Sequence, residues 1–225
     1  MKPAALGFRV HSGWTALVAL TLKEGTPSIL ARERARLVRT FTYEYRQPYH
    51  TAARMRVRDR RAFIKRIEAE ASRLAFRTIR RLRTALEKEG YSLTRSGLLL
   101  ASGRPLPELE GILASHSLIH TADGELFRKA IFDATARCGL PCTRIREREL
   151  PDFAARSFGR KSRDVWRRIQ GLGQALGPPW SQDEKCASLV AWLAAVAPGS
   201  PRSSTRVETR GKSLQQRPRH LRRGR

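Results

Sequence analysis

The sequence has few cysteines, few acidic residues and no long apolar run, and each shortage excludes a class of protein. Three cysteines in 225 residues cannot build a disulfide scaffold, and free thiols in a reducing compartment are expected. Every apolar run is shorter than the roughly 18 residues of a membrane span, so a spanning protein is excluded. The apolar stretch near the N-terminus lacks a clear signal-peptide cleavage site. A cytoplasmic protein is therefore expected, and 40% hydrophobic residues are enough for a packed core.

Negative charge is the scarcest property of the chain. Only 20 residues are acidic against 45 that are basic, which gives a net charge of +25. Residues 198–225 carry +8 of this, so the rest is basic on its own at +17. Such a field attracts polyanions, and the guanidinium fork suits phosphate. The implied partner is nucleic acid, DNA or RNA, bound with little sequence preference. Of the basic residues 37 are arginine and 8 are lysine, an excess that codon bias in a GC-rich genome would also explain. The sequence does not indicate an oligomeric state.

Hydrophobic periodicity predicts an α/β domain over residues 1–197 and a disordered basic tail over 198–225. Three antiparallel strands open the chain and are followed by alternating helices and strands, which require a mixed five-stranded sheet with helices on both faces. A long helix is predicted over 57–89, and a second helical region over 107–138 is predicted to have a hinge near residues 121–124. Ser181 and Glu184 have the spacing of a capping box at the start of the last helix.

Two local segments fit this order of elements. Leu6–Gly13 lies on the first strand, and Gln182–Lys185 opens the last helix. The chain thereby resembles the ribonuclease H-like superfamily, in the resolvase branch that includes bacterial Holliday-junction resolvases. That resemblance implies a three-layer fold and, in active members, two metal ions held by acidic groups on the first strand, the fourth strand and the last helix.

The acidic pattern of that family is mostly missing here. No acidic residue precedes Glu24, so the first strand offers Arg9 or His11 instead. Only Asp183 and Glu184 stand where a family carboxylate is expected. The sequence therefore predicts a degenerate member of the superfamily, without a standard two-metal nuclease site.

Two histidines are separated by one helical turn, at His116 and His120. This spacing can hold a divalent metal, the one cofactor that the sequence raises, or present two proton carriers. Asp123 follows closely, so His116, His120 and Asp123 are the predicted metal ligands. The alternative is structural: the imidazoles form hydrogen bonds within the fold, and Asp123 caps a helix that begins near Gly124.

Strand ends add two further candidates, because α/β sheets bind ligands at the carboxyl ends of their strands. His11 and Ser102 are expected there. The candidate catalytic set is His11, Ser102, His116, His120 and Glu184.

Arginines on one face of the long helix are the candidate phosphate contacts. Residues 54–83 hold twelve basic groups against three acidic ones. The candidate nucleic-acid-binding residues are Arg66, Arg73, Arg77, Arg80 and Arg81 on the helix, with Arg222 and Arg223 in the tail. The leading hypothesis is a nucleic-acid-associated protein. A hydrolase or nuclease that uses the histidines, with or without a metal, and a non-enzymatic interaction protein are the alternatives, so the sequence leaves catalysis undecided.

Overall fold

A computed structural model describes residues 1–101, 105–160 and 162–197 of the chain. It has the expected α/β architecture, with five strands in one sheet. The strands are β1 (Lys2–His11), β2 (Trp14–Lys23), β3 (Thr26–Arg36), β4 (Tyr91–Leu100) and β5 (Cys142–Arg146). The helices are α1 (Tyr43–Arg46), α2 (Pro48–Ala53), α3 (Val57–Lys88), α4 (Leu109–Leu113), α5 (His116–Arg137), α6 (Leu150–Phe158), α7 (Ser162–Leu176) and α8 (Gln182–Val196), and a short 3₁₀ turn (Glu147–Glu149) precedes α6.

The sheet has the strand order β3-β2-β1-β4-β5. The first three strands pair antiparallel, whereas β4 pairs parallel with both β1 and β5. Strands β2 and β3 thus extend the sheet from one edge of β1, and β4 and β5 extend it from the other edge. The carboxyl ends of β1 and β4 therefore meet at the point where parallel sheets commonly bind ligands.

Strand β1 is covered on both faces, and its side chains alternate between two cores. Leu6, Phe8 and Val10 are buried in the core formed with α3 and α5. Gly7 and Arg9 point to the opposite face, where α8 lies. Consecutive residues near the end of β1 consequently face opposite sides of the sheet.

Helix α8 approaches the sheet closely over a pair of glycines. Gly7 and Gly97 are register partners on β1 and β4. A Cβ added at Gly7 would overlap the carbonyl oxygen of Ala187, and one added at Gly97 would overlap that of Val190. The helix runs antiparallel to β1, so this contact carries its N-terminal residues to the carboxyl end of β1. The capping box predicted there is confirmed: the Ser181 hydroxyl accepts the backbone N–H of Asp183.

The structure differs from the sequence prediction in two helical regions. The polar, aromatic stretch that contains Tyr43 and Tyr49, whose composition predicts a loop between the third strand and the long helix, forms the short helices α1 and α2. The predicted hinge near residues 121–124 is wrong, because α5 runs uninterrupted from His116 and the break lies at Ala114 and Ser115. The predicted long helix over 57–89 agrees closely with α3, and the helix predicted to open at the capping box is α8.

The three cysteines carry free thiols, as expected, and none forms a disulfide. Burial raises the pKa of Cys186 to about 11, so this thiol stays protonated at neutral pH. None of the helices within the described ranges combines the length and apolar character that crossing a bilayer requires. The predicted tail lies outside the described residues, as do its candidates Arg222 and Arg223.

Candidate functional site

An arginine occupies the centre of the site on the α8 side of β1. The Arg9 guanidinium donates Nη1 to Asp183 Oδ1 at 2.5 Å and Nη2 to Glu147 Oε1 at 2.5 Å. The Arg9 side chain is only 19% exposed and that of Asp183 16%. Burial would lower the pKa of Arg9, but the ion pairs with Glu147 and Asp183 outweigh it and raise this pKa. Arg9 thus stays charged and neutralises two carboxylates at once.

Two more basic side chains contact Asp183, and one of them also contacts Glu184. His11 Nε2 lies 2.8 Å from Asp183 Oδ1, and its ring stacks on Trp14. Arg34 donates Nε to Glu184 Oε1 at 3.2 Å and places Nη2 3.7 Å from Asp183 Oδ2. We call Arg9, His11, Arg34, Glu147, Asp183 and Glu184 the ion-pair network.

Glu184 has a structural role in the capping box. Its Oε2 accepts the backbone N–H of Ser181 at 2.9 Å and the Ser181 hydroxyl. Burial would raise the pKa of Glu184, but the hydrogen bonds from Ser181 and Arg34 outweigh it and hold this pKa below its usual value. Both oxygens of Glu184 are therefore occupied by protein donors.

The ion-pair network does not fit the two metal ions that the ribonuclease H-like fold implies. A guanidinium lies where the family's first-strand carboxylate is expected, and it bonds directly to Asp183. A cation there would have to displace Arg9 and would meet a fixed positive charge. The carboxylates on this face are therefore satisfied by protein cations.

Three imidazoles converge on the other side of the sheet, beside α5. His50, His116 and His120 each offer one ring nitrogen, and these three atoms lie within 4.8 Å of one another. His116 Nε2 and His120 Nε2 are 3.0 Å apart. His50 is buried on α2, whereas the other two are exposed on the first turns of α5. We call these three residues the histidine cluster.

A buried carboxylate lies behind the histidine cluster. Asp123 Oδ2 is 2.5 Å from His50 Nδ1, and Asp123 Oδ1 accepts the backbone N–H of Tyr49 at 2.7 Å. Burial raises the pKa of Asp123, against the opposing effect of these hydrogen bonds. Since both oxygens face α2, the structure places Asp123 behind His50 and not among the ring nitrogens with His116 and His120. The expectation that it caps a helix near Gly124 is wrong, because Ser115 precedes the first residue of α5.

The structure brings together some of the candidate catalytic residues and separates others. His11 and His120 line one groove at the ends of β1 and β4, with Thr121 and Arg128. Glu184 is held in the ion-pair network, on the other face of the sheet. Ser102 lies outside the described residues. The sequence analysis did not identify His50. The local signal for its helix is Pro48, because proline is favoured at the first helical position.

The outer face of α3 forms a basic groove. Its volume is about 900 Å³, and Phe76 is among the residues that line it. The Arg137 guanidinium lies 4.1 Å from the Phe76 ring centroid, and that of Arg80 lies 5.6 Å from it. The charged residues that line the basic groove are Arg73, Arg77, Arg80, Arg81, Lys88, Glu89 and Arg137. Arg66 lies outside it, over the ring of Phe63.

Comparisons with known proteins find similarity of structure only. No protein-family model matches the chain, and no curated protein matches it in sequence. RuvC of T. thermophilus in complex with a Holliday junction substrate has a TM-score of 0.50 and 12% identity, over 86% of this chain and 92% of that chain. A structure of Thermus thermophilus RuvC has a TM-score of 0.49 and 11% identity, over 86% and 93% of the two chains. The chain therefore has a ribonuclease H-like fold similar to that of RuvC, as its sequence predicted.

Proposed function

We propose that the protein binds nucleic acid and contacts the phosphate backbone through the basic groove on α3. The observation that supports this most strongly is a set of arginines without acidic partners. Within the described part of the chain, no carboxylate forms an ion pair with Arg73, Arg77, Arg80 or Arg137. Arg81 is different, because its Nη2 contacts both carboxylate oxygens of Glu33 at 2.7 Å. The unpaired guanidiniums can make paired hydrogen bonds with phosphate oxygens.

The shape of the basic groove supports the same partner. Like charges on neighbouring turns of α3 repel each other unless an anion lies between them. A polyanion that follows the groove would relieve this repulsion along the helix. The structure of RuvC bound to a Holliday junction is an example of this fold with a nucleic-acid partner.

Binding to mixed-sequence oligonucleotides tests the proposal. Fluorescence anisotropy with double-stranded and single-stranded DNA and RNA, between 50 and 200 mM salt, should show affinity that falls steeply with salt. A triple variant, Arg77→Ala/Arg80→Ala/Arg137→Ala, should bind more weakly to every sequence. The slope of its log affinity against log salt concentration, which we call the salt slope, should fall in magnitude by about 1 for each phosphate contact that is lost.

A matched control removes the same charge from another surface. Arg156, Arg163 and Arg167 are exposed on α6 and α7, which pack with α8 on the opposite side of the sheet. Their triple alanine variant should keep both the affinity and the salt slope. Equal losses in the two variants, or no binding at 50 mM salt, would show that the basic groove is not the binding surface. Arg222→Ala/Arg223→Ala measures the contribution of the tail separately.

Hydrolysis is a second candidate function, and the convergence of the histidine cluster favours it. His120 belongs to this cluster and also lines the groove at the ends of β1 and β4. Cleavage of a phosphodiester substrate that is lost in His120→Ala, but kept when the basic groove is altered, would support this activity. Cleavage that survives in His120→Ala would exclude it.

A further inference from the structure

The positions of the three imidazoles are close to those of zinc ligands. Zinc binds imidazole nitrogen at about 2.0–2.1 Å, so two nitrogens in a tetrahedral site are about 3.4 Å apart. His116 Nε2 and His120 Nε2 are 3.0 Å apart, and the nitrogen of His50 lies within 4.8 Å of both. Zinc binding would require the three rings to move to ligand distances by rotation about their side-chain bonds. The two exposed histidines need no backbone movement, because positions one turn apart share a helix face.

A second observation concerns the orientation of His50. Its Nδ1 is engaged by Asp123, so the nitrogen left for another partner is Nε2. Metal-bound histidines commonly donate their other ring N–H to a carboxylate, which fixes the tautomer and the ring plane. Asp123 is itself held by the backbone N–H of Tyr49, and its side chain is only 2% exposed. A buried carboxylate therefore holds a buried imidazole with its second nitrogen directed away from it.

We propose that His50, His116 and His120 bind one zinc ion, with Asp123 as the carboxylate that orients His50. Imidazole nitrogens suit zinc, whereas magnesium and calcium take oxygen ligands. Among the residues that the structure describes, no fourth histidine, cysteine or acidic side chain joins the cluster. Three protein ligands leave one position for water, which is the arrangement of catalytic zinc sites and not of closed structural ones.

The zinc site is separate from the metal position that the fold implies. The two lie on opposite faces of β1, although His11 of the ion-pair network and His120 of the histidine cluster both line the groove at the ends of β1 and β4. The proposal is also independent of the basic groove, because metal binding can be measured without nucleic acid. Failure of one proposal therefore leaves the other standing.

Metal titration of the full chain tests the proposal. After chelator treatment and dialysis, the protein should bind one equivalent of Zn²⁺ in competition with a chromophoric chelator. Substitution with Co²⁺ should give the intense visible absorption of a tetrahedral ion. His116→Ala, which removes an exposed ligand, should abolish stoichiometric binding. Asp123→Asn should lower zinc affinity by about 10- to 100-fold, because the residue acts through His50.

A histidine outside the cluster provides a control. His220→Ala should bind zinc with the affinity of the parent chain. Circular dichroism must show that His116→Ala keeps its fold, which its exposed position favours. Less than one equivalent of zinc in the parent chain, unchanged binding in His116→Ala, or an equal loss in His220→Ala would overturn the proposal.

Discussion

The ion-pair network and the histidine cluster lie at the same edge of the sheet, yet they have opposite charge relationships. In the first, the guanidinium of Arg9 lies between Asp183 and Glu147, and every carboxylate has a cationic partner. In the second, imidazoles face one another, and the nearest carboxylate lies behind His50. The carboxylates of the first group are bound by protein cations, whereas each imidazole of the second offers one ring nitrogen as a ligand atom.

The comparison shows that the position of a group of residues in a fold does not by itself determine which ligand the group can bind. Carboxyl ends of parallel strands are the usual place for a site in α/β sheets, and both groups lie there. The balance of charge within each group sets what it can bind. Substitutions that disturb one group and leave the other intact would sharpen this contrast.

The largest effect is expected where α8 carries the ion-pair network onto the sheet. Gly7→Ala would place a methyl group against the carbonyl oxygen of Ala187, and α8 would have to move. Overpacking of this kind costs about 3 kcal/mol. Urea unfolding should show this loss of stability, while zinc affinity at the histidine cluster should change little in the folded protein.

Gly171→Ala provides the control for that substitution. Gly171 lies within α7, and nothing occupies the space of its absent Cβ. Since alanine is the better helix former, stability should rise by about 0.5–1 kcal/mol. Equal destabilisation by the two substitutions would show that the contact with α8 is not close.

The next effect concerns Arg9 itself. Arg9→Ala leaves Asp183 and Glu147 without their shared guanidinium, and we expect a loss of about 2 kcal/mol, between the values for exposed and buried ion pairs. Arg81→Ala removes an arginine whose side chain is 61% exposed beside Glu33 and should cost less than about 1 kcal/mol. Chemical unfolding of both variants makes the comparison. An equal cost for the two would mean that the burial of Arg9 does not matter.

Much of the fold could be predicted from sequence because its signals are local. The apolar positions of α3 recur with helical spacing, and Gly90, with φ of +83°, follows its last turn. The capping box of α8 depends on two residues close in sequence. The position of the break before α5 was not predictable in this way. Gly124 lowers helix propensity and so suggests a hinge at the wrong place, since packing keeps the helix continuous there.

The sites were less predictable because they join distant segments. His116 and His120 could be paired by their spacing, but His50 comes from another helix, and only the fold brings it to them. The sequence showed Arg9 on a strand where an acid was expected. It could not show that Asp183 and Glu147 converge on this arginine, since α8 and the turn after β5 supply them.

A smaller effect is expected at the start of α8. Ser181→Ala removes the hydroxyl that accepts the N–H of Asp183 and donates to Glu184. Loss of such a cap costs about 1 kcal/mol. Thermal unfolding should detect it, and Ser181→Asn, which retains a capping oxygen, should recover most of the loss. No recovery with asparagine would indicate that the hydroxyl acts only through Glu184.

The smallest effect is a pH dependence within the same cap. Hydrogen bonds from Ser181 and Arg34 lower the pKa of Glu184 in the folded state, so folding favours its ionised form. The resulting stability is present above the unfolded pKa of about 4.3 and is lost as pH falls through the lower folded value. The difference in unfolding free energy between the parent chain and Glu184→Gln should therefore be constant between about pH 5.5 and 7 and shrink below about pH 4.3. A difference that stays constant at lower pH would show that the carboxylate is not stabilised by its charge, and the contrast between a saturated ion-pair network and an open histidine cluster would then rest on Arg9 and Asp183 alone.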